Sequence, residues 1–293
     1  MDHETLNSGK MKSSDQHPVK TKDMTFYYPS PDSFPSISIT GHACSLNCAH
    51  CRREYLRGMI PVKPKNLLEL CREMEAKGAL GCLISGGCNP DGSVSLPPEQ
   101  IKEVKDNTDM IICVHTGFID RKKALGFVKA GVDYTCFDFV GDSRTARNVY
   151  GLNRAPKEYE KSMAEMIDAG LKVSPHVCIG LDFGRLGHEE KAFEIISNHE
   201  ISSLVLLILL PTKGTPMEHA EVSTPDALRT IKLAREMMPD KKIKLGCMRP
   251  RIIDVEQSVD YFDGVANPSP ICEKAAHEKN LKITKKRTCC VVE

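Results

Sequence analysis

The sequence predicts an α/β fold built from eight successive strand–helix units. Short apolar runs alternate along the chain with longer stretches of helical periodicity, which is the pattern of βα units in a parallel sheet. Residues 204–210 are apolar throughout, as expected for a strand buried on both faces. The 293 residues, 41% of them hydrophobic, are enough for one α/β barrel. We predict a (β/α)8 TIM-type barrel; an open partial (β/α)6 barrel with a C-terminal extension is the alternative.

The two ends of the chain differ from its middle. Residues 1–34 are polar and lack periodicity, so we expect a flexible leader. The barrel is predicted over residues 35–281. Residues 282–293 are basic and β-prone, and they contain Cys289 and Cys290. We expect this tail either to be flexible or to fold over the barrel.

Each predicted unit follows from local pattern. Residues 36–40 alternate like a strand, and residues 65–78 carry a helical apolar stripe that ends at a glycine. The later strands are short β-prone runs, and the later helices are amphipathic stretches, one of which opens with prolines. The later strands are predicted at 81–87, 110–116, 134–140, 172–181, 203–212, 242–248 and 264–267, and the later helices at 97–108, 120–130, 155–170, 188–199, 224–238, 254–262 and 271–279.

Composition narrows the class of partner. The net charge of +1 offers no strong field for nucleic acid or a membrane surface, and we expect neither as a partner. The longest apolar run is far too short to cross a bilayer. Thirteen scattered cysteines without a secretory signal indicate reduced thiols in the cytoplasm, some of them metal ligands.

The most informative motif is the loop GHACSLNCAHC, which follows the first predicted strand. It places Cys44, Cys48 and Cys51 in a C-x3-C-x2-C spacing. Three thiolates on one short loop can ligate three irons of a [4Fe–4S] cluster, which leaves the fourth iron for another ligand. The alternatives are a zinc site completed by His42 or His50, or three structural thiols.

This spacing resembles that of the radical S-adenosylmethionine (SAM) superfamily. The resemblance implies that the amino and carboxylate groups of SAM bind the open iron. It also implies that one-electron reduction of SAM gives methionine and a 5′-deoxyadenosyl radical, which abstracts hydrogen from a substrate in the barrel. An electron donor such as ferredoxin or flavodoxin is then required.

Two further motifs resemble SAM-binding segments of the superfamily. Ser85, Gly86 and Gly87 with Cys88 resemble its Gly-Gly-Glu turn, which implies contacts to the methionyl amine, with Cys88 in place of the glutamate. Ile179 and Gly180 resemble the stretch that meets adenine, although its first glycine is absent.

Two charged residues are candidate catalytic groups. Asp138 ends the fourth predicted strand and is a candidate for contact with a ribose or substrate hydroxyl, or for a salt bridge to an arginine. Arg249 follows the seventh strand. We expect it at the barrel mouth as a fixed cation that binds a carboxylate or faces a cluster; a surface arginine is the alternative.

A closer resemblance is to biotin synthase. It is carried by residues 213–216, KGTP, and residues 229–239, RTIKLAREMMP. It implies sulfur insertion into unactivated C–H bonds, with a second iron–sulfur cluster held by three cysteines and an arginine. Cys113 and Arg249 match that ligand set, whereas Leu83 and Ser174 replace its other two cysteines.

The chain also resembles the biotin-synthase-like subgroup that includes two-component lipoyl synthases. This implies either a small-molecule substrate or an acyl chain on a carrier protein, and a second radical SAM subunit as partner. Candidate ligands of a second cluster are Cys113, Cys247, Cys289 and Cys290. A radical SAM enzyme of cofactor biosynthesis with a single cluster, and a zinc-binding structural protein, are the alternative functions.

Overall fold

The computed structural model describes residues 23–63 and 66–293. Its strands form one parallel sheet, in the order β11-β1-β10-β9-β8-β7-β6-β5-β4-β2-β3. The strands are β1 Asp23–Tyr27, β2 Ser36–Ser38, β3 Ile60–Pro61, β4 Gly81–Ser85, β5 Ile111–His115, β6 Tyr134–Asp138, β7 Val173–Ile179, β8 Leu204–Ile208, β9 Ile243–Leu245, β10 Gly264–Ala266 and β11 Lys282–Lys286.

Helices cover the outer face of this sheet. A π-helix at Ala146–Tyr150 and a 3-10 turn at Val259–Tyr261 interrupt the α-helices. The α-helices are α1 Glu54–Arg57, α2 Leu67–Ala76, α3 Pro98–Asn107, α4 Arg121–Lys129, α5 Ser143–Thr145, α6 Pro156–Asp168, α7 Glu189–Ser197, α8 Thr224–Met237, α9 Ile253–Gln257 and α10 Pro270–Glu278. No helix within the described ranges is both long and apolar enough to cross a bilayer.

The predicted α/β class is confirmed, and of its two forms the open partial barrel is the one observed. All eight predicted strands are present, as β2 and β4 to β10, which is more than the six of the open alternative. The barrel does not close, because β10 pairs with β1 and β2 pairs with β3. The two edges that would meet in a closed barrel are therefore already occupied.

The N-terminal part of the sheet corrects the predicted leader. Residues 23–27 form β1, which lies between β10 and β11, and Met24 and Phe26 are completely buried. This five-residue strand alternates polar and apolar residues, but the polar residues on either side hid it in the sequence. Residues 1–22 of the predicted leader lie outside the described residues.

The C-terminal tail folds into the barrel rather than over it. After β11, Cys290, Val291 and Val292 are buried in one cluster with inner-face side chains of several strands, among them Tyr27 and Cys113. Glycine at position 264 leaves room for the ring of Tyr27 in this cluster, since a Cβ there would lie 2.8 Å from the ring. The tail therefore fills the floor of the curled sheet.

Replacing Val291 with alanine should lower the free energy of unfolding by about 2 kcal/mol, because two fully buried methyl groups are lost. The measurement is urea unfolding of the reduced apoprotein. Val128→Ala is the control, because Val128 lies on a helix surface with 39% exposure and should change stability by less than about 0.5 kcal/mol. Equal effects of the two substitutions would show that the tail is not part of the core.

Candidate active site

The cysteine loop lies between β2 and α1, at the carboxyl ends of the strands. Two neighbouring segments fix its backbone. The amide of Ser45 donates to the carbonyl of Cys88 at 2.7 Å, and the amide of Ala49 donates to the carbonyl of Val149 at 2.7 Å. The chain leaves the loop through Arg52 and Arg53, which adopt left-handed backbone angles with φ of 42° and 70°. Such strain in non-glycine residues persists where surrounding contacts impose it, often at functional sites.

Two sulfur atoms and one ring nitrogen of the loop lie close together. The ligand atoms of Cys48, His50 and Cys51 are all within 4.8 Å of one another. The thiol of Cys48 donates a hydrogen bond to Cys51, which lowers the pKa of Cys51 to about 4 and raises that of Cys48. A thiolate at Cys51 is the form that ligates a metal.

Apolar groups surround these thiols. Leu46 and Leu152 are buried with Cys48, and Cys44 and Cys51 pack against the same cluster. The ring of His50 lies edge-on to that of Tyr150, at 5.2 Å between centroids, and its Nδ1 is buried without a hydrogen-bond partner among the described residues. The site therefore presents three thiols and one orphaned ring nitrogen in a largely dry setting.

The glycine turn after β4 supports the cysteine loop directly. The amide of Gly87 donates to Oγ1 of Thr40 at 2.7 Å, and the amide of Cys88 donates to Sγ of Cys44 at 3.3 Å. A Cβ on Gly87 would lie 2.0 Å from the carbonyl oxygen of Ala43. Glycine is thus required here by close backbone approach. That this turn also binds SAM stays a prediction.

The other members of that turn have different surroundings. The hydroxyl of Ser85 donates to the carbonyl of His115 at 3.1 Å. A Cβ on Gly86 would lie 3.0 Å from Oγ1 of Thr40, so this position is also tight. Burial raises the pKa of Cys88 to about 12, so its side chain is a neutral thiol beside Cys44. It supplies no carboxylate for an amine.

The two residues of the predicted adenine-binding segment, Ile179 and Gly180, have different surroundings. The side chain of Ile179 is completely buried in the outer core, and its carbonyl accepts from the amide of Leu209 at 2.9 Å. Gly180 has a left-handed φ of 74°, and its amide donates to the buried carboxylate of Glu189 at 2.7 Å. Contact of this segment with a ligand stays a prediction.

Arg249 is not the free cation expected at the barrel mouth. Its side chain is fully buried, and Nη2 lies 2.8 Å from the carboxylate of Glu256. Nη1 donates to the carbonyls of Gly246 and Ala266, and Nε donates to Glu256. These partners satisfy the hydrogen-bond donors of the guanidinium, as is usual for a buried polar group. These contacts give Arg249 a structural role, and its part in the reaction stays a prediction.

Several polar side chains face the inside of the curled sheet, which we call the lumen. Asp138 lies between Phe137 and Phe139 on β6 and its loop, and both rings are buried in the outer core. Because side chains alternate along a strand, Asp138 points inward. Its side chain is 45% exposed.

His115 and His176 meet Asp138 in the lumen. Nε2 of His115 lies 3.3 Å from Oδ1 of Asp138, and the rings of the two histidines are 6.1 Å apart at 70°. Burial opposes charge on Asp138, but the attraction of His115 and His176 lowers its pKa to about 2. Burial alone also opposes charge on His115, but Asp138 outweighs it and raises the pKa of His115. Burial lowers the pKa of His176 to about 4.

The proposed ligands of a second cluster gather at the floor of the lumen. Cys289 lies within electrostatic reach of Cys113, Cys136 and Cys247. A hydrogen bond from Cys290 lowers the pKa of Cys289 to about 7. Burial raises the pKa values of Cys113, Cys136 and Cys247. Among the floor thiols, Cys289 is thus the one that ionises most easily.

Sequence reasoning missed three inward residues, His115, His176 and Lys244. Lys244 is 2% exposed, its ammonium lies 5.3 Å from the centroid of the Tyr27 ring, and Nζ has no hydrogen-bond partner among the described residues. The two histidines could have been found by period-two parity, since His115 lies two residues after Cys113 on one predicted strand. Lys244 had no comparable signal.

A comparison with protein families matches the chain to the model described as the radical SAM superfamily, over residues 38–195. The match runs from β2 into α7 and includes the three cysteines and the glycine turn. The chain belongs to the radical SAM superfamily. This membership implies a [4Fe–4S] cluster and SAM, which overturns the zinc alternative. Cys48 and the readily ionised Cys51 lie within ligand distance of each other and Cys44 packs against the same apolar cluster, which fits such a group.

Curated relatives of this radical SAM chain include biotin synthases. The enzyme of Pseudoalteromonas atlantica is 26% identical over 241 residues, which cover 78% of this chain and 64% of the relative. The chain therefore spans just under two thirds of that relative. The biotin synthase of Legionella pneumophila (strain Corby) is 26% identical over 278 residues, which cover 90% of this chain and 86% of the relative.

Solved structures confirm the fold of this radical SAM enzyme. The [FeFe]-hydrogenase maturase HydG superposes with a TM-score of 0.64 at 15% identity, covering 90% of this chain and 64% of HydG. Methylornithine synthase, PylB, superposes with a TM-score of 0.60 at 17% identity, covering 81% of this chain and 73% of PylB. At these identities the likeness concerns the fold alone.

Replacing Gly87 with alanine should leave less than about half of the wild-type iron after anaerobic reconstitution, because the added Cβ displaces the backbone of Ala43 and Cys44. Gly58→Ala is the matched control. Gly58 ends α1 close to the same loop with φ of −83°, and an added Cβ there meets nothing nearer than 3.7 Å. Iron analysis and the visible absorption of the cluster decide the result. Full iron in the Gly87 variant would contradict the supporting role of this turn.

Replacing Arg249 with methionine should destabilise the fold by about 3 kcal/mol, because Glu256 loses its fully buried cation and keeps only the half-exposed Arg251. The double variant R249M/E256L should recover part of this loss and should still cleave SAM, as measured by 5′-deoxyadenosine per folded protein. Arg251→Met is the control, since that side chain is 51% exposed and its ion pair with Glu256 contributes about 1 kcal/mol or less. A stable double variant without SAM cleavage would instead assign Arg249 to the reaction.

Proposed function

We propose that this radical SAM enzyme inserts sulfur into unactivated C–H bonds. The observation that carries the proposal is the position of Cys289. The tail brings this thiol against the buried Cys113 and Cys136, and the exposed Cys247 lies within electrostatic reach of it. A second set of soft ligands thus lies inside the barrel, apart from the cysteine loop, where a second iron–sulfur cluster would serve as sulfur donor.

The chain's own residues divide the remaining tasks. Cys44, Cys48 and Cys51 would hold a [4Fe–4S] cluster, which would supply the electron for reductive cleavage of SAM. The apolar side chains around these thiols would limit the access of water to it. Asp138 would accept a hydrogen bond from a ribose or substrate hydroxyl and so orient it. The floor thiols would hold the sulfur source.

The relatives suggest the substrate of this reaction. Similarity to biotin synthases supports a biotin-synthase-like insertion, and the lipoyl-synthase-like reaction on a carrier-bound acyl chain is the second form of the same proposal. We further propose an electron donor such as ferredoxin or flavodoxin, a cytoplasmic location, and a second radical SAM subunit as partner of the lipoyl-type reaction.

A single-cluster enzyme of cofactor biosynthesis is the competing function. Leu83 and Ser174 stand where the resemblance to biotin synthase places two cluster cysteines. Within residues 23–63 and 66–293, the one group of ligand atoms already gathered as tightly as 4.8 Å is that of Cys48, His50 and Cys51. This favours one cluster unless the floor thiols rearrange around a second.

Iron and sulfide analysis of the C44A/C48A/C51A variant distinguishes these functions. After anaerobic reconstitution, sulfur insertion predicts about two to four iron atoms per chain, held at the floor. Adding Cys289→Ala to this background should remove that iron, because the central thiolate is lost. Adding Cys272→Ala is the control, since this buried cysteine lies on α10, outside the lumen.

The single-cluster function predicts almost no iron in the triple variant. Product analysis completes the test. The wild-type enzyme with SAM, dithionite and either dethiobiotin or an octanoylated peptide should give 5′-deoxyadenosine together with a thiolated product. Two results together would refute sulfur insertion. The triple variant would contain no iron, and the wild-type enzyme would form 5′-deoxyadenosine without any thiolated product.

A further inference from the structure

A cavity of about 320 Å³ lies beside β1, β9 and β10, away from the cysteine loop. Three of its lining residues, Asp23, Lys242 and Asp263, stand at or just before the amino ends of these strands. The cysteine loop follows the carboxyl end of β2, and the paired strands run parallel. The cavity therefore lies toward the end of the sheet opposite to the radical site.

The side chain of Lys244 reaches this cavity from β9. Lys244, Gly264 of β10 and Thr25 of β1 form one row across the sheet, because they are register partners. Met24 and Phe26, on either side of Thr25, pack in the outer core, so this row faces inward. Lys244 is 2% exposed, and its Nζ makes no hydrogen bond with any described residue.

This buried ammonium lacks the counter-charge that burial demands. A buried charge without a hydrogen-bonded partner is costly, and burial lowers the pKa of Lys244 for the same reason. The ring of Tyr27, with its centroid 5.3 Å from Nζ, gives a cation–π contact that offsets only part of this cost. An anion in the cavity would supply both the acceptor atom and the negative charge.

The carboxylates that line the cavity are engaged elsewhere or face solvent. Asp263 forms an ion pair with Arg235, and Glu293 forms one with Lys242 at 2.9 Å. The side chain of Asp23 is 77% exposed. Within residues 23–63 and 66–293, none of these three carboxylates forms an ion pair with the buried ammonium.

A second ammonium lines the same cavity. Lys286 ends β11 and is half-buried, and its side chain makes neither an ion pair nor a hydrogen bond with the part of the chain that the structure describes. The hydroxyl-bearing side chains of Thr25 and Tyr27 complete this side of the cavity. Two cations beside hydroxyl groups match a phosphate group, which has several strong acceptor oxygens and close to two negative charges at neutral pH.

We propose that this cavity binds a phosphate group, with one oxygen paired to Nζ of Lys244 and the ammonium of Lys286 bound to the same group. The site goes beyond the proposed function and does not depend on it, because it lies away from the cysteine loop. The phosphate is either the free inorganic ion or the phosphate of a small organic molecule, for which the 320 Å³ leave room.

The test measures binding of radiolabelled inorganic phosphate to the reconstituted holoenzyme by equilibrium dialysis, in chloride buffer at constant ionic strength. One phosphate should bind per chain. Lys244→Met should weaken binding at least about tenfold, as the loss of one charge-assisted hydrogen bond predicts, and Lys286→Met should weaken it about threefold. Lys285→Met is the control, because this neighbouring lysine loses the same charge but lies on the opposite face of β11, paired with Glu273.

Thermal unfolding separates loss of the site from loss of the fold. Without phosphate, Lys244→Met should unfold at the same temperature as the wild type or higher, because it removes a buried charge that has no partner. Saturating phosphate should raise the midpoint of the wild type by about 3 °C and leave that of Lys244→Met unchanged. A lower midpoint of Lys244→Met without phosphate would assign Lys244 a structural role and reject the site.

Competition identifies the source of the phosphate. Glycerol phosphate that displaces the label at a lower concentration than unlabelled phosphate would assign the site to a phosphorylated organic molecule. Equal or weaker displacement would assign it to the free ion, and acetate should displace the label least because it carries a single charge. Absence of bound phosphate, or equal binding by Lys244→Met and Lys285→Met, would overturn the proposal.

Discussion

The contact between Gly87 and the backbone of Ala43 and Cys44 sets the position of the cysteine loop. At 2.0 Å from an added Cβ to the carbonyl oxygen of Ala43, no other residue fits without moving the loop. The amide of Cys88 then reaches Sγ of Cys44, and the amide of Ser45 reaches the carbonyl of Cys88. The first two βα loops are thereby joined.

The lumen combines groups whose charges depend on one another. Asp138 stays ionised in a buried setting because His115 and His176 lie next to it, and His176 stays neutral because burial outweighs that attraction. Removal of any one of the three should therefore shift the pKa values of its neighbours.

Much of the fold could be predicted because its elements are local. Each of the eight predicted strands and their helices depends on periodicity within a few residues, and each is present. The cysteine loop and the glycine turn were also visible, since they are contiguous motifs. Strand β1 was not, because five residues carry little periodic signal beside a polar stretch. Its partners β10 and β11 lie at the other end of the chain, where no local pattern shows them.

The sequence predicted residues of the candidate site only where a single contiguous segment identifies them. The sequence indicated Asp138, but neither of its histidine partners, because pairing across β5, β6 and β7 depends on register. Arg249 illustrates the opposite error. Its place after a barrel strand suggested a cation at the barrel mouth. In the structure its guanidinium is buried in an ion pair with Glu256, which follows seven residues later on α9. A charged residue at a strand end offers no free charge to a ligand when nearby groups satisfy it completely, as they do for Arg249.

The open sheet explains why the last residues of the chain can reach the lumen. Strand β11 pairs with β1 at the edge of the sheet, and the chain then turns inward, so that Val291 and Val292 are buried at the floor. The tail is thus anchored by a strand whose only neighbour comes from the N-terminal part of the described chain. The cysteine loop belongs to the first βα unit, and Cys289 lies four residues from the end. The two sets of thiols can face each other across Asp138 only after the whole sheet has formed, which couples the completeness of the site to the stability of the fold.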